Sequence, residues 1–264
     1  MSILYKALEK AERERKAALK SVRSEKGPII PIRSIRERRV HRSISLTGPN
    51  TIAAEEFRKL RTLIFQTSIS KPMQTLLVTS AIPGEGKSTV ASNLALVIAQ
   101  GVKEQALLID CDLRNPHKNP LLKGNTPLGL SDYLMDKLEP KDLIVRTQIP
   151  KLSILPSGSV TPNAAALLGS EKMRNLMKTL KSQYAHRYIV IDSPPIILTT
   201  EPIVLSEMVD GIIVVVLAAN TPREVVQRAL NNINKEKMLG IVLNQIVAIS
   251  SAYYSAYYYP EKRT

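Results

Sequence analysis

The sequence has little of what secreted, membrane-spanning or metal-binding proteins need. A single cysteine, Cys111, rules out an internal disulfide and suits a reducing compartment. No run of about 18 apolar residues is present, so we expect no segment that spans a bilayer. The first 20 residues have neither the apolar core nor the cleavage site of a signal peptide. The three histidines, His41, His117 and His186, are scattered without metal-ligand spacing.

Acidic residues are also in short supply, and the resulting positive charge is unevenly placed. The net charge is +14, and residues 1–42 hold thirteen Lys/Arg against five Asp/Glu. Such a run could bind nucleic acid or anionic lipid, and it could equally be a solvated arm. Only one aromatic residue, Tyr5, lies among these charges, which argues against base stacking on single strands. We therefore expect no nucleic-acid partner.

Changes in composition divide the chain into four segments. Residues 1–20 predict a helix whose narrow apolar stripe needs a partner surface, because so short a helix is marginal alone. Residues 21–50 contain two Gly-Pro pairs among many charges and predict a basic linker. We expect the globular core at residues 51–247 and a tyrosine-rich tail at residues 248–264.

The core alternates apolar strands with helices. Continuous apolar strands separated by helices are typical of a parallel sheet covered on both faces, so we predict a doubly wound, mostly parallel α/β domain. Strands are predicted at residues 74–80, 105–112, 152–156, 187–193, 211–217 and 239–246, and helices at residues 52–69, 87–100, 163–183 and 222–234.

The segment after the first core strand has the spacing of a nucleotide-phosphate loop, or Walker A motif: Ala81-Ile-Pro-Gly-Glu-Gly-Lys-Ser88. Ala81 replaces the usual first glycine, but the segment follows an apolar strand and begins a helix, as the motif requires. Its glycines let backbone N–H groups approach phosphate oxygens, and the helix N-terminus adds partial positive charge. Lys87 would reach the β- and γ-phosphates, and Ser88 would bind Mg²⁺. The predicted nucleotide-binding residues are Pro83, Gly84, Glu85, Gly86, Lys87, Ser88, Thr89 and, further along the chain, Asn244.

Three aspartates lie at the ends of apolar strands. Asp110 and Asp112 close one strand, and Asp192 closes another. In open α/β sheets ligands bind at this edge, and residues two apart on a strand share a face. Two close carboxylates repel each other unless a cation such as Mg²⁺ lies between them. Taken alone, each aspartate could cap a helix or turn; together with the phosphate loop they predict a magnesium-nucleotide site.

These motifs together resemble those of the bacterial tyrosine kinases (BY-kinases) of polysaccharide export. The resemblance covers residues 51–264 and includes the phosphate loop, a Walker A′ segment (Asp110–Pro116), a Walker B segment (Asp192–Pro195), Gly129-Leu-Ser131 and Thr221-Pro-Arg-Glu224. It is completed by five tyrosines in the last twelve residues: Tyr253, Tyr254, Tyr257, Tyr258 and Tyr259.

The resemblance implies an activity and roles for single residues. It implies a fold like that of P-loop NTPases and autophosphorylation of the tyrosine cluster that depends on ATP and Mg²⁺. Lys87, Asp110 and Asp112 would be catalytic; Asp110 would accept the proton of the attacking tyrosine, and Ser88, Asp112 and Asp192 would hold Mg²⁺. Because a phenol has a pKa of about 10 and a carboxylic acid one of about 4, Asp110 would orient the hydroxyl and take its proton late.

The resemblance also implies partners and a location. Glu55, Arg58 and Arg61 match the family's Glu-x-x-Arg-x-x-Arg motif for assembly into rings. Kinase domains of this family are either fused to a membrane protein or separate, and this chain resembles the separate type. We therefore expect a ring-shaped homo-oligomer, a membrane chain-length (co-polymerase) partner, a cognate phosphotyrosine phosphatase and a cytoplasmic location at the inner face of the membrane. The expected role is regulation of exopolysaccharide or capsule polymerisation and export, with phosphate transferred in trans between neighbours.

Two other functions fit parts of the sequence. A partitioning or positioning ATPase of the same fold would carry a lysine five residues before Lys87, where this chain has Ile82. A non-catalytic nucleotide-binding assembly subunit is disfavoured by the intact loop lysine and the three aspartates. Two residues keep two interpretations each: Arg114 could pair with phosphate or cap a loop, and Asn244 could contact the adenine edge or cap a turn.

Overall fold

The computed structural model describes residues 32–38, 51–70, 72–116, 128–183 and 187–246; the predicted N-terminal helix and the five tail tyrosines lie outside these residues. The described strands are β1 (Ile32–Arg38), β2 (Thr75–Ser80), β3 (Gln105–Asp110), β4 (Ile144–Thr147), β5 (Leu152–Leu155), β6 (Arg187–Asp192), β7 (Gly211–Leu217) and β8 (Met238–Asn244). The described α-helices are α1 (Ile52–Ser70), α2 (Lys87–Ala99), α3 (Leu130–Leu134), α4 (Ala164–Leu168), α5 (Glu171–Gln183), α6 (Glu201–Ser206) and α7 (Arg223–Leu230).

The strands form one sheet in the order β1-β4-β5-β3-β6-β2-β7-β8. Neighbouring strands are parallel except for β4 and β5, which are antiparallel. The central strand β2 is buried along its whole length, as expected of a parallel strand that helices cover on both faces. The predicted doubly wound, mostly parallel α/β fold is therefore confirmed.

Two apolar layers cover the sheet. Alternate residues of β2 point to opposite faces, so Leu76 and Val78 pack with α1 and α2, whereas Leu77 packs with the helices from α3 to α7. Helix α2 is buried continuously from Val90 to Ala99, because it lies between α1 and the sheet; this stretch is apolar except for the buried Ser92 and Asn93. This burial fixes the helix whose first turn follows the phosphate loop.

The sequence prediction missed the elements that carry the weakest patterns. Strand β1 is rich in arginine and lies among the residues assigned to the linker, yet it pairs in parallel with β4, which has only four residues. Helices α3 and α6, with five and six residues, are too short to show a helical period. The helix predicted at 163–183 divides into α4 and α5 at Gly169-Ser170. The boundaries of the four predicted segments stay a prediction.

Candidate active site

The sheet topology brings the predicted motifs to one edge. Strands β3, β6 and β2 are adjacent, and Asp110 at the end of β3 is in register with Asp192 at the end of β6. Val78 of β2 is also in register with Asp192, so the loop that follows β2 begins at the same edge, next to the strand that ends at Asp192. The carboxyl edge of a parallel sheet is the ordinary place for a ligand in this architecture.

The phosphate loop depends on two glycines with left-handed backbone. Gly84 has a φ of 86° and Gly86 a φ of 89°, conformations that favour glycine. At Gly86 there is also no room for a side chain, because a Cβ would lie 2.1 Å from Asn244 Nδ2. That amide donates a 2.9 Å hydrogen bond to the carbonyl of Glu85. Asn244 thus holds the loop from β8, which favours the capping role among its two interpretations.

The Glu85 side chain shapes the loop from inside. It is almost fully buried, and its Oε2 accepts a 2.8 Å hydrogen bond from the Ile82 N–H. Its Oε1 accepts hydrogen bonds from the Leu217 N–H at 3.2 Å and from the Thr221 hydroxyl at 2.6 Å. The carboxylate therefore ties the loop to the end of β7. This contact accounts for the segment that begins at Thr221, for which the sequence indicated no role of its own.

The loop lysine lies among the residues predicted to handle Mg²⁺ and phosphate. Lys87 Nζ lies 3.6 Å from Asp112 Oδ2 and 3.3 Å from the Ser88 hydroxyl. The Lys87 and Asp112 side chains are only 12% and 7% exposed, so water screens this pair weakly. Of the other predicted loop residues, Pro83 is exposed and Thr89 partly exposed in the first turn of α2.

Asp110 is held at both carboxylate oxygens. Its Oδ1 accepts a 3.1 Å hydrogen bond from the Asp112 N–H, and its Oδ2 accepts a 3.1 Å hydrogen bond from the Ser157 hydroxyl. Burial, followed by the negative charge of Asp192, raises the pKa of Asp110 well above its ordinary value, although both hydrogen bonds oppose the increase. A carboxylate with a raised pKa is a better proton acceptor than a solvated one.

Asp192 has the features of a cation ligand. Burial raises its pKa to about 6, and the charge of Lys87 and a hydrogen bond from Ser88 limit that increase. Its Oδ1 is buried and has no hydrogen-bond partner within the described residues. A buried acceptor without a partner is costly, and a divalent cation would satisfy it. The Ser88, Asp112 and Asp192 side chains therefore fit Mg²⁺, an ion that usually combines one or two carboxylates with phosphate oxygens and water.

Arg114 and Cys111 have surroundings in the described part of the chain that favour structural roles. Arg114 Nε donates to Glu201 Oε1 at 2.6 Å, and because Glu201 is fully buried this ion pair favours a structural role for Arg114. The described part of the chain contains no group of three or more His, Cys, Asp or Glu side chains that could hold a metal ion. Cys111 is buried, and burial raises the pKa of its thiol well above the ordinary value.

The predicted assembly motif lies on α1, and its three half-buried residues make different contacts. Arg58 Nε pairs with Glu55 Oε2 at 2.8 Å, and both side chains are about one-third exposed. Arg61 Nη1 instead donates a 2.8 Å hydrogen bond to the carbonyl of Val97 near the end of α2. Assembly through Glu55, Arg58 and Arg61 stays a prediction.

Two residues at the site were not predicted. Ser157 lies two positions after the end of β5, and β5 is the neighbour of β3. A polar residue just past this apolar strand could therefore have been predicted to lie near Asp110. Glu201 begins the short helix α6 and had no recognisable pattern.

Comparisons with known proteins show which proteins this chain is similar to. The family profile described as "ParA: NUBPL iron-transfer P-loop NTPase" matches residues 71–259. The tyrosine-protein kinase YwqD of Bacillus subtilis (strain 168) is 34% identical over 216 residues, which cover 81% of this chain and 90% of YwqD. The tyrosine-protein kinase CpsD of Streptococcus agalactiae serotype III (strain NEM316) is 38% identical over 196 residues, 73% of this chain and 82% of CpsD.

A solved structure extends the likeness to three dimensions. The crystal structure of the chimerical protein CapA2B2 has a TM-score of 0.71 and 31% sequence identity, and the match covers 83% of this chain and 94% of that chain. The P-loop NTPase profile accounts for the shared fold, whereas the tyrosine-protein kinases match this chain over most of their own length. The partitioning-ATPase interpretation is therefore the weaker one, and the chain belongs to the bacterial tyrosine kinase family.

Proposed function

We propose that this protein is a protein-tyrosine autokinase that depends on ATP and Mg²⁺ and phosphorylates its own C-terminal tyrosine cluster. The observation that carries the proposal is the convergence of one lysine and three buried aspartates beside a phosphate loop: Lys87, Asp110, Asp112 and Asp192. The relatives named as tyrosine-protein kinases support tyrosine as the acceptor.

Nucleotide binding rearranges the contacts of the loop lysine in this proposal. Lys87 lies beside Asp112 in the protein alone, and the phosphates of ATP offer it a stronger set of partners. Asp112 would then be free to join Ser88 and Asp192 in holding Mg²⁺. When bound, the ion would supply positive charge against the phosphate oxygens. The N–H groups of the loop and the N-terminus of α2 add to this charge without reorganisation.

The chemical step transfers one phosphoryl group. The phenol oxygen of a tyrosine forms a bond to the γ-phosphorus of ATP, and the bond from that phosphorus to the β–γ bridging oxygen breaks, so that ADP leaves. The phenol proton passes to the Asp110 carboxylate and later to solvent. The transition state of phosphoryl transfer needs little negative charge on the nucleophile early, so Asp110 can orient the phenol hydroxyl first and take its proton late.

The start of the tail favours transfer between neighbours. Strand β8 ends at Asn244 beside the phosphate loop, and Tyr253 lies nine residues further on. Nine extended residues span at most about 30 Å, and Asp110 lies four strands from β8, or about 19 Å across the sheet. The tail is long enough to reach its own site, but it would have to turn back across the sheet edge. A neighbour in a ring avoids this turn, so we propose transfer in trans.

The cellular role follows from the family resemblance. We propose that the kinase forms a ring through Glu55, Arg58 and Arg61, acts with a membrane chain-length protein and is opposed by a phosphotyrosine phosphatase. In this way it would regulate polymerisation and export of an exopolysaccharide or capsule. The proposed attachment to the inner face of the membrane is through that partner. Within the described residues, no helix has the length and apolar character needed to cross a membrane.

The proposal is tested by the variant Lys87→Met with labelled ATP. Removing a charge that acts on the transferring phosphoryl group typically lowers the rate by 10²-fold or more, so phosphotyrosine should fall to background while the thermal unfolding curve is retained. Lys235→Met, on an exposed lysine whose Nζ donates to Asn231 Oδ1 at 3.1 Å, is the matched control and should leave phosphotyrosine unchanged. Normal phosphotyrosine in folded Lys87→Met protein would refute the assignment of the site.

A further inference from the structure

A buried serine connects the proposed proton acceptor to a separate part of the fold. Ser157 lies in the turn after β5 and is fully buried. Its hydroxyl lies 3.1 Å from Asp110 Oδ2 and 3.5 Å from the carbonyl of Pro116. The hydroxyl has one proton to donate, and the nearer acceptor is the charged one, so the hydrogen bond to Asp110 is the stronger.

The turn that carries Ser157 is fastened by helix α3. The N–H groups of Leu130 and Ser131 donate to the carbonyls of Pro156 and Ser157 at 2.8 and 2.9 Å. Asp132, itself almost fully buried, accepts hydrogen bonds at Oδ2 from the N–H groups of Gly129 and Ser159 at 2.9 and 3.0 Å. The Gly129-Leu-Ser131 segment, whose chemical role could not be predicted from sequence, thereby holds the turn.

The turn has no freedom to shift without breaking these contacts. Gly158 has a φ of 84°, and a Cβ there would lie 2.4 Å from Asp132 Oδ2 and 2.7 Å from Ser131 Oγ. The Ser131 hydroxyl also donates to the carbonyl of Ser159 at 2.7 Å. The position of the Ser157 hydroxyl is therefore set by packing and hydrogen bonds, as a group that orients a reacting side chain requires.

We propose that Ser157 is a positioning residue for phosphoryl transfer: together with the Asp112 N–H it fixes the plane of the Asp110 carboxylate toward the incoming tyrosine. The inference rests on the proposed function, because it gives Asp110 the role of proton acceptor. Two hydrogen bonds, one at each oxygen, leave the remaining lone pairs of the carboxylate in a single orientation. Without the hydroxyl the carboxylate can rotate, and misplacement of a reacting group by about 1 Å costs up to about 10²-fold in rate.

The first test is Ser157→Ala, assayed with MgATP and an added tyrosine peptide. We expect kcat to fall by about tenfold to hundredfold, while the KM for ATP and the affinity for MgADP stay within about twofold, because Ser157 does not contact the phosphate loop. Ser157→Cys keeps a side chain of similar size but donates only a weak hydrogen bond, so its kcat should fall by a similar factor. This variant takes the place of Ser157→Ala if the alanine variant does not fold. The matched control is Ser206→Ala, which removes a buried hydroxyl bonded to the Ile203 carbonyl and should leave kcat unchanged.

A double-mutant cycle with Asp110→Ala gives the decisive result. If Ser157 acts through Asp110, Ser157→Ala should lower kcat by less than about twofold when Asp110 is already alanine. An equal loss in both backgrounds, or a loss of MgADP affinity that matches the loss of kcat, would show that the serine only supports the fold and would overturn the inference. The proposed function fails on a different result, namely an active Lys87→Met protein, so the two failures can be told apart.

Discussion

Asp192→Asn should make the protein more stable while removing its activity. In the absence of nucleotide, Asp192 is buried, one of its oxygens has no partner within the described residues, and Asp110 lies beside it in register. Burial raises the pKa of Asp192 from 3.8 to about 6. One pKa unit corresponds to about 1.36 kcal/mol, so keeping this carboxylate ionised costs the folded state at most about 3 kcal/mol.

The sign of this effect sets its pH dependence. The carboxyl group of Asp192 has a higher pKa in the folded state than in the unfolded state, so the folded state binds more protons. The free energy of unfolding therefore falls as the pH rises from about 4 to about 6. Above pH 6 the full cost is present. Asparagine cannot ionise, so the folded variant does not lose the free energy that the ionised Asp192 carboxylate costs the wild type.

The measurement is the free energy of unfolding by urea at pH 4.5 and pH 7.5, without nucleotide or Mg²⁺. At pH 7.5 Asp192→Asn should be about 1–3 kcal/mol more stable than the wild type, and the difference should shrink at pH 4.5. MgADP should stabilise the wild type and not the variant, since only the wild type keeps the proposed ligand. A variant that is less stable than the wild type at pH 7.5 would refute the reasoning.

Three further predictions concern other parts of the chain. Asp210→Asn should lower the free energy of unfolding by about 2–3 kcal/mol at pH 7. Burial alone would raise the pKa of Asp210, but hydrogen bonds from Lys181, Gln74 and Thr75 lower it below its ordinary value. The stabilisation should therefore disappear as the pH falls below about 4, and an unchanged pH profile would contradict this. Gly86→Ala should abolish MgADP binding in a calorimeter, because of its positive φ and the Asn244 amide, and retained binding would be evidence against the loop geometry. Arg58→Glu should reduce the oligomer to a monomer in light scattering, whereas Lys59→Glu, on the more exposed neighbour, should not; an unchanged mass for Arg58→Glu would count against the ring interface.

The sequence was sufficient wherever a residue's role depends on the end of a long apolar strand. The places of Asp110, Asp192 and the phosphate loop follow from strands that are buried on both faces, and these strands are unmistakable in sequence. Their meeting at one edge follows from the parallel order of the sheet. The split of the helix predicted at 163–183 shows the limit, because local periodicity alone does not place such a break.

The parts that could not be predicted are contacts between segments far apart in the chain. Glu85 matches a spacer position of the phosphate loop, but its carboxylate bonds to the Thr221 hydroxyl more than a hundred residues away. The sequence alone leaves two interpretations of Arg114, because its contact with the buried Glu201 joins two distant segments of the chain. Such pairings are set by the tertiary fold, and neither residue type nor spacing reports them.

Transfer of phosphate to the tail of a neighbour is the central claim, and a mixing experiment tests it most directly. The Lys87→Met chain, which keeps its tyrosines, is incubated with ATP, Mg²⁺ and an active chain that lacks residues 248–264, and phosphotyrosine is mapped by mass spectrometry. The account predicts phosphate on the Lys87→Met chain, at one or more of Tyr253, Tyr254, Tyr257, Tyr258 and Tyr259. If these tyrosines stay unmodified while the active chain phosphorylates an added peptide, transfer in trans is wrong; if the peptide is not phosphorylated either, the protein is not the kinase proposed.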